Sequence, residues 1–359
     1  MNVLSLFDGM SCGQQALERA SIKVDNYYAS EIDKHAISIT QKNYPGTIQL
    51  GSVVNVDVNT LGKIDLLIGG SPCQSFSFAG KRKGMSTKDE IEILSLDQYL
   101  ELKEQNFEFE GQSYLFWEYM RILTDLRKLN PDVKFLLENV MMGEKWEKVL
   151  SRAIGVNGIE INSSLVSAQN RRRLYWTNIG MKPAGLFGDL ESVIAQPKDK
   201  GILLKDILES EVDEKYFLSD KMVDFFNRHI EKHKALGHGF NFEPSDGNKK
   251  AKAVTLKNGN RPDDNFIIDN LMIQLQCKFG FDTCANTNQN FCDSCDDGDN
   301  YELNESTSRI RRLTPTECER LQTVPDGYTE GVSDTQRYRM LGNGWTVEVI
   351  AHIFNYLNI

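Results

Sequence analysis

Apolar and polar positions set out a strand–helix rhythm over the first half of the chain. Residues 2–7 alternate into an apolar run and predict a first strand, with a helix over residues 13–20. A second strand is predicted over residues 24–30, ending at Glu31, and Asp33 is placed to cap a helix reaching about Gln41. Residues 64–68 read as a short buried strand. Residues 114–129 make an amphipathic helix with Leu115, Tyr119, Ile122 and Leu126 on one face, and residues 134–137 a strand after the breaker Asn130-Pro131. Such alternation predicts α/β architecture, a parallel sheet with helices on both faces. Near the C-terminus, residues 346–357 are apolar at Val347, Ile350, Ala351, Phe354 and Leu357, a helix expected to pack on that sheet.

Two stretches break the rhythm. Residues 81–113 are polar and charged, with a short helix predicted over 96–103; an excursion of this length is commonly a lid or binding loop. From about Gly180, helical segments at 203–208 and 221–229 give way to Gly- and Asn-rich turns between short strands at 251–256 and 266–275. This predicts a second, smaller and irregular unit before the chain returns to the first.

Candidate chemistry starts at Ser71-Pro72-Cys73-Gln74, directly after the strand and the pair Gly69-Gly70. A cysteine pinned by proline just past a strand sits where open α/β sheets build their sites. Alone it would be read as a small buried hydrophobe. It is joined by Glu138-Asn139-Val140 after Phe135-Leu136-Leu137, by Gln169-Asn170-Arg171-Arg172-Arg173, and by Arg339-Met340-Leu341-Gly342-Asn343-Gly344. The chain also opens with Phe7-Asp8-Gly9 after its first strand.

In that order these motifs closely resemble the DNA cytosine-5 methyltransferases of bacterial and phage type, over about residues 1–178 and 309–359. The resemblance implies a Rossmann-like catalytic and cofactor domain over 1–179, an irregular mixed target-recognition domain over 180–308, and a return to the catalytic domain over 309–359. It also implies transfer of a methyl group from S-adenosyl-L-methionine to carbon 5 of a flipped cytosine. Carbon 5 is a poor nucleophile until a thiolate adds to carbon 6, the role expected of Cys73. Glu138 is expected to donate to ring nitrogen 3, Arg173 to bind the carbonyl oxygen, Arg171 to support the phosphate or the cysteine loop, and Gln169 to join the same polar network. Asn139 is expected to fix the loop, while Arg172 should lie on the opposite strand face. For the cofactor, the resemblance assigns Phe7, Asp8, Gly9, Glu31 (ribose hydroxyls), Ile32 (adenine), Ser52, Val53, Pro72 and Asn343. The family usually carries Gly-Asp where this chain has Gly51-Ser52; a serine can still accept the adenine amino group. Thr255-Leu256 resembles a dipeptide of the family's recognition domains. An RNA cytosine-5 methyltransferase, a catalytically silent DNA-binding regulator and a thymidylate-synthase-like enzyme are the alternatives.

Composition changes this picture little. The chain has 359 residues and a net charge of −10, so any grip on double-stranded DNA must come from local basic patches. The candidates are Lys81-Arg82-Lys83, Arg171-Arg172-Arg173, Lys249-Lys250 with Lys252 and Lys257, and Arg309 with Arg311-Arg312. No run approaches a membrane span, no basic-then-apolar leader opens the chain, and seven cysteines is an odd number. The expectation is a monomer in a bacterial cytoplasm, associated with the nucleoid, with a cognate restriction endonuclease as a possible partner. Cys277, Cys284, Cys292 and Cys295 could enclose a zinc ion, although six residues separate the first pair and the neighbours are acidic. Unliganded loop cysteines are the preferred reading, and no metal is assigned.

Overall fold

A seven-stranded sheet organises the molecule, built from β1 (Asn2–Leu6), β2 (Asn26–Ser30), β3 (Ile48–Gln49), β4 (Leu66–Gly70), β5 (Lys134–Val140), β6 (Ile159–Asn162) and β8 (Arg172–Thr177), with the two-residue β7 (Gln169–Asn170) outside it. Their order is β3-β2-β1-β4-β5-β8-β6, and β8 alone runs against the others. The computed structural model describes residues 1–72, 85–184, 189–235, 237, 241–269, 276–277, 301–302 and 309–357.

Alternation along the strands explains the layers. In β1, β4 and β5, residues Val3, Leu66, Ile68 and Leu136 enter one apolar cluster, while Leu4, Leu6, Leu67, Phe135 and Leu137 enter the other. All are fully buried, as expected of parallel strands covered on both faces. The first layer holds α1 (Cys12–Arg19) and the C-terminal helix; the second holds α4 (Phe116–Leu129) and α5 (Glu144–Ile154). The helix α2 (Lys34–Asn43) starts as the sequence predicts, with Asp33 accepting from the amides of His35 and Ala36 at 2.9 and 3.5 Å. Strand order reverses between β1 and β4, so a crevice opens at their C-terminal ends.

The excursion carries α3 (Leu96–Glu104), which packs on α4 through a buried carboxylate. Glu118 accepts from the Tyr99 hydroxyl and Lys103, both at 2.5 Å, and from Arg121 at 2.7 Å. The second unit contributes the ribbon β9 (Met181–Ala184) with β10 (Asp189–Ser192), then α6 (Asp220–Ala235), β11 (Ala251–Lys252), β12 (Phe266–Asp269), β13 (Gln276–Cys277), β14 (Tyr301–Glu302) and β15 (Arg309–Arg312). Residues 203–208 form a 3-10 turn, Leu204–Ile207, in place of the expected helix. The chain then closes with α7 (Pro315–Leu321), α8 (Asp334–Asn343) and α9 (Val347–Phe354). Arg309–Arg312 pairs with Phe266–Asp269, so the segment before Leu313 is a strand of the second unit's ribbon.

Candidate active site

At the crevice, β1 runs into Phe7-Asp8-Gly9, where Phe7 and Gly9 both turn through positive φ (57° and 58°). The Glu31 carboxylate staples this turn to the end of β2. It accepts from the amides of Gly9 (2.8 Å), Ile32 (2.7 Å) and Asp33 (2.8 Å). A carboxylate has about four lone-pair sites, so Glu31 keeps capacity for a ribose hydroxyl. Ile32 is 71% exposed, an apolar surface offered to a flat base. A Cβ on Gly9 or Gly51 would meet nothing within 4 Å, so both turns border open space. Ser52 opens a 3-10 turn without using its hydroxyl as a cap, Val53 is buried, Pro72 is half-buried and Asn343 is exposed. Asp8 accepts from the Tyr27 hydroxyl at 2.7 Å through Oδ1, while Oδ2 is buried without a partner among the described residues. Burial pushes its carboxyl up to about 6, against hydrogen bonds from Ser5, Tyr27 and Ser11. The open turns, apolar lid and spare acceptors fit a nucleoside-bearing cofactor.

Across the crevice, register sets Gly70 of β4 beside Glu138 of β5. Glu138 is buried, with Oε1 paired to Arg173 Nε at 2.9 Å and Oε2 accepting from the Trp345 indole at 3.2 Å. Asn139 straps β5 to the end of β4, donating to Ser71 Oγ (3.0 Å) and to the Ser71 carbonyl (3.3 Å), as the expectation of loop fixing required. Cys73 itself lies outside the described residues, as do Lys81-Arg82-Lys83, Cys284, Cys292 and Cys295; Cys277 is described in its backbone alone. Among the described residues no cluster of metal-ligating side chains occurs.

Gln169 and Arg171 are engaged away from Glu138. Gln169 is buried, donating to Leu321 O (2.6 Å) and Gln322 Oε1 (2.9 Å) and accepting from the Val254 amide (3.2 Å). Arg171 is also buried, and its guanidinium reaches the carbonyls of Val254 (3.3 Å), Gly342 (3.1 Å) and Gly344 (3.0 Å). A fork with several donors suits three carbonyls converging from two segments. Beside it, a Cβ on Gly342 would lie 2.6 Å from the Thr255 carbonyl carbon, so this glycine lets the Thr255-Leu256 backbone dock.

Several cations of the basic patches have partners within the protein. Arg172 pairs with Glu160 at 2.5 Å, Arg309 with Glu214 at 2.6 Å, and buried Arg311 takes Glu317 bidentately at 2.9 Å. Lys250 donates to the carbonyls of Ser164 (2.6 Å) and Ser167 (3.1 Å). These cations are engaged within the protein, and partners such as Glu214, 95 residues from Arg309, could not be read from the basic runs themselves. Sequence reading also missed Trp345, whose one signal was adjacency to Gly342-Asn343-Gly344.

Comparison with known proteins converges on one family. A family profile described as C-5 cytosine-specific DNA methylase matches residues 1–98 and 161–358. Type II methyltransferase M.NlaX of Neisseria lactamica is 27% identical over 98% of this chain and 94% of its own. Type II methyltransferase M.HpaII of Haemophilus parainfluenzae is 28% identical over 97% and 86%. Among solved structures, Spodoptera frugiperda DNMT2 superposes with a TM-score of 0.63 at 20% identity, covering 100% of this chain and 99% of that one. The Entamoeba histolytica methyltransferase EhMeth gives 0.63 at 16% identity, covering 99% and 97%, and at these identities the likeness speaks to the fold. The chain therefore belongs to the C-5 cytosine-specific DNA methylases, and it transfers methyl groups from S-adenosyl-L-methionine to carbon 5 of cytosine in DNA.

Proposed function

We propose that Cys73 attacks carbon 6 of a cytosine flipped out of double-stranded DNA, while Glu138 and Arg173 hold the base edge. The sulfur–carbon bond forms as the carbon 5–carbon 6 π pair shifts into the ring. Glu138 gives a proton or hydrogen bond to nitrogen 3, and Arg173 faces the carbonyl oxygen as charge develops there. Bound S-adenosyl-L-methionine would supply an electrophilic methyl group to carbon 5, its sulfur–methyl bond breaking and the electron pair staying on the neutral thioether that leaves. Loss of the carbon-5 proton then re-forms the double bond and expels the Cys73 thiolate. Glu31, Ile32 and the Phe7-Asp8-Gly9 turn would hold the nucleoside, with Ser52, Val53, Pro72 and Asn343 around it.

One observation carries this reading. A buried carboxylate receives donors from two distant segments, Arg173 and Trp345, beside the strap from Asn139 to Ser71 that leads directly into Cys73. Glu138→Gln keeps shape and some hydrogen bonding but is no acid, so it should retain DNA affinity and lose most single-turnover methylation. If affinity collapses and the chemical rate survives, Glu138 is structural.

The same reading makes residues 180–308 the sequence reader of a monomer acting in a bacterial cytoplasm near the nucleoid. The Type II relatives favour a companion endonuclease. Flipping costs a few kcal/mol, which contacts from that segment and the 81–113 excursion would offset. Bisulfite sequencing of DNA from expressing cells reports the modified base and its context together. Conversion of every cytosine would contradict it.

A further inference from the structure

We infer that Trp345 is a positioning residue for the catalytic acid; this rests on the assignment of Glu138 above. Its indole donates to Glu138 Oε2 at 3.2 Å while Arg173 holds Oε1 at 2.9 Å. The terminal torsion of a glutamate is broad and roughly two-fold, so one donor would leave the carboxyl plane free to swing. Two donors on different oxygens fix that plane. The indole N–H is a donor only, so Trp345 holds Oε2 without competing for the transferred proton.

The surroundings are built around that contact. A Cβ on Gly70 would lie 2.8 Å from Trp345 Nε1 and 3.1 Å from Glu138 Oε2, so β4 must present a glycine for the indole to reach the acid. The Trp345 backbone is fixed as well. The carbonyl of Gly344, in the peptide unit that begins Trp345, accepts from Arg171 (3.0 Å) and Gln322 (3.2 Å). A Cβ on Gly344 would come within 2.9 Å of Met10 Cε, which places this loop directly on the cofactor turn. Trp345 thus joins the cofactor turn to the acid on β5, three segments far apart in sequence.

The test is a double-mutant cycle read on single-turnover methylation and on adduct formation with duplex DNA carrying 5-fluorocytosine. Trp345→Phe keeps a ring and removes the donor. It should slow the chemical step about tenfold, the scale of one hydrogen bond to a charged group, with cofactor and DNA affinities within about twofold of wild type. In a Glu138→Gln background the same change should alter the rate by less than about twofold, because it acts through the carboxylate. Gly70→Ala, which displaces the indole while keeping it in the chain, should reproduce the pattern if Trp345→Phe folds poorly. Equal slowing in both backgrounds, or no slowing, overturns the role of Trp345. A Glu138→Gln enzyme with the wild-type rate would instead overturn the assignment of Glu138.

Discussion

The two units of this protein are stabilised differently. In the catalytic unit, strands buried on both faces alternate their side chains into two large clusters, and the site residues project from strand ends. The second unit has a small core of its own, Leu218, Phe226 and Phe266 with Phe242 against them, and strands of two to four residues. It is fastened to the first unit in two ways: Ile194, Leu204, Ile207, Ala251, Val254 and Ile267 enter the first unit's apolar cluster, and polar contacts lock them there, with β11 paired to β7, Arg171 and Gln169 gripping Val254, and Arg311 gripping Glu317. A unit whose own core is small can vary its loops, provided the fastenings persist. The chemistry needs the opposite, a rigid frame that holds one carboxylate to fractions of an ångström.

Breaking the catalytic side should have the largest effect. Cys73→Ser is expected to lower methylation by about three orders of magnitude or more while cofactor binding persists, because an alcohol is far less nucleophilic than a thiol at neutral pH. Near-wild-type turnover by this variant would remove Cys73 from the mechanism. Exchange of residues 180–308 for the corresponding segment of a relative with another target should move the methylated sequence and leave cofactor affinity within about twofold. An active chimera faithful to the original site would put the reading in the catalytic unit.

The fastening itself can be probed next. Gly342→Ala forces a methyl group against the Thr255 backbone and should cost about 1–3 kcal/mol in denaturant unfolding, since backbone cannot yield cheaply. Gly46→Ala, with no neighbour within 4 Å and no positive φ, should change stability by less than about 0.5 kcal/mol. Comparable losses at both positions would show that the Gly342 contact is not a fastening.

A pH dependence probes the cofactor turn of the catalytic side. Asp8 is raised from 3.8 to about 6, so the native state binds its proton more tightly than the unfolded chain. Its contribution to stability is therefore full below pH 4 and is lost as pH rises through about 6. Asp8→Asn has no such group, so its melting temperature should gain on wild type between pH 4 and 6 and then hold a constant offset. Parallel profiles across that window would refute the raised carboxyl.

Much of the catalytic frame was legible because period and punctuation are local. The runs at β1, β2 and β5, the Asp33 cap and the helix α4 that ends at Asn130-Pro131 all follow from neighbouring residues. What could not be read was set by long-range pairing. The basic runs at Arg171 and Arg309 give no hint of the partners that meet them, Gly342, Val254 and Glu214. Trp345 has no sequence signal beyond its place after Gly342-Asn343-Gly344, and only the fold brings it to a carboxylate 207 positions away.

The central claim is that a covalent bond forms between Cys73 and a flipped cytosine. Wild-type protein incubated with S-adenosyl-L-methionine and duplex DNA carrying 5-fluorocytosine in its target should form a stable adduct, since fluorine cannot leave as a proton does. Peptide mapping of that adduct is predicted to place the nucleotide on Cys73. Turnover on ordinary DNA without any adduct, or an adduct on another cysteine, would contradict the account.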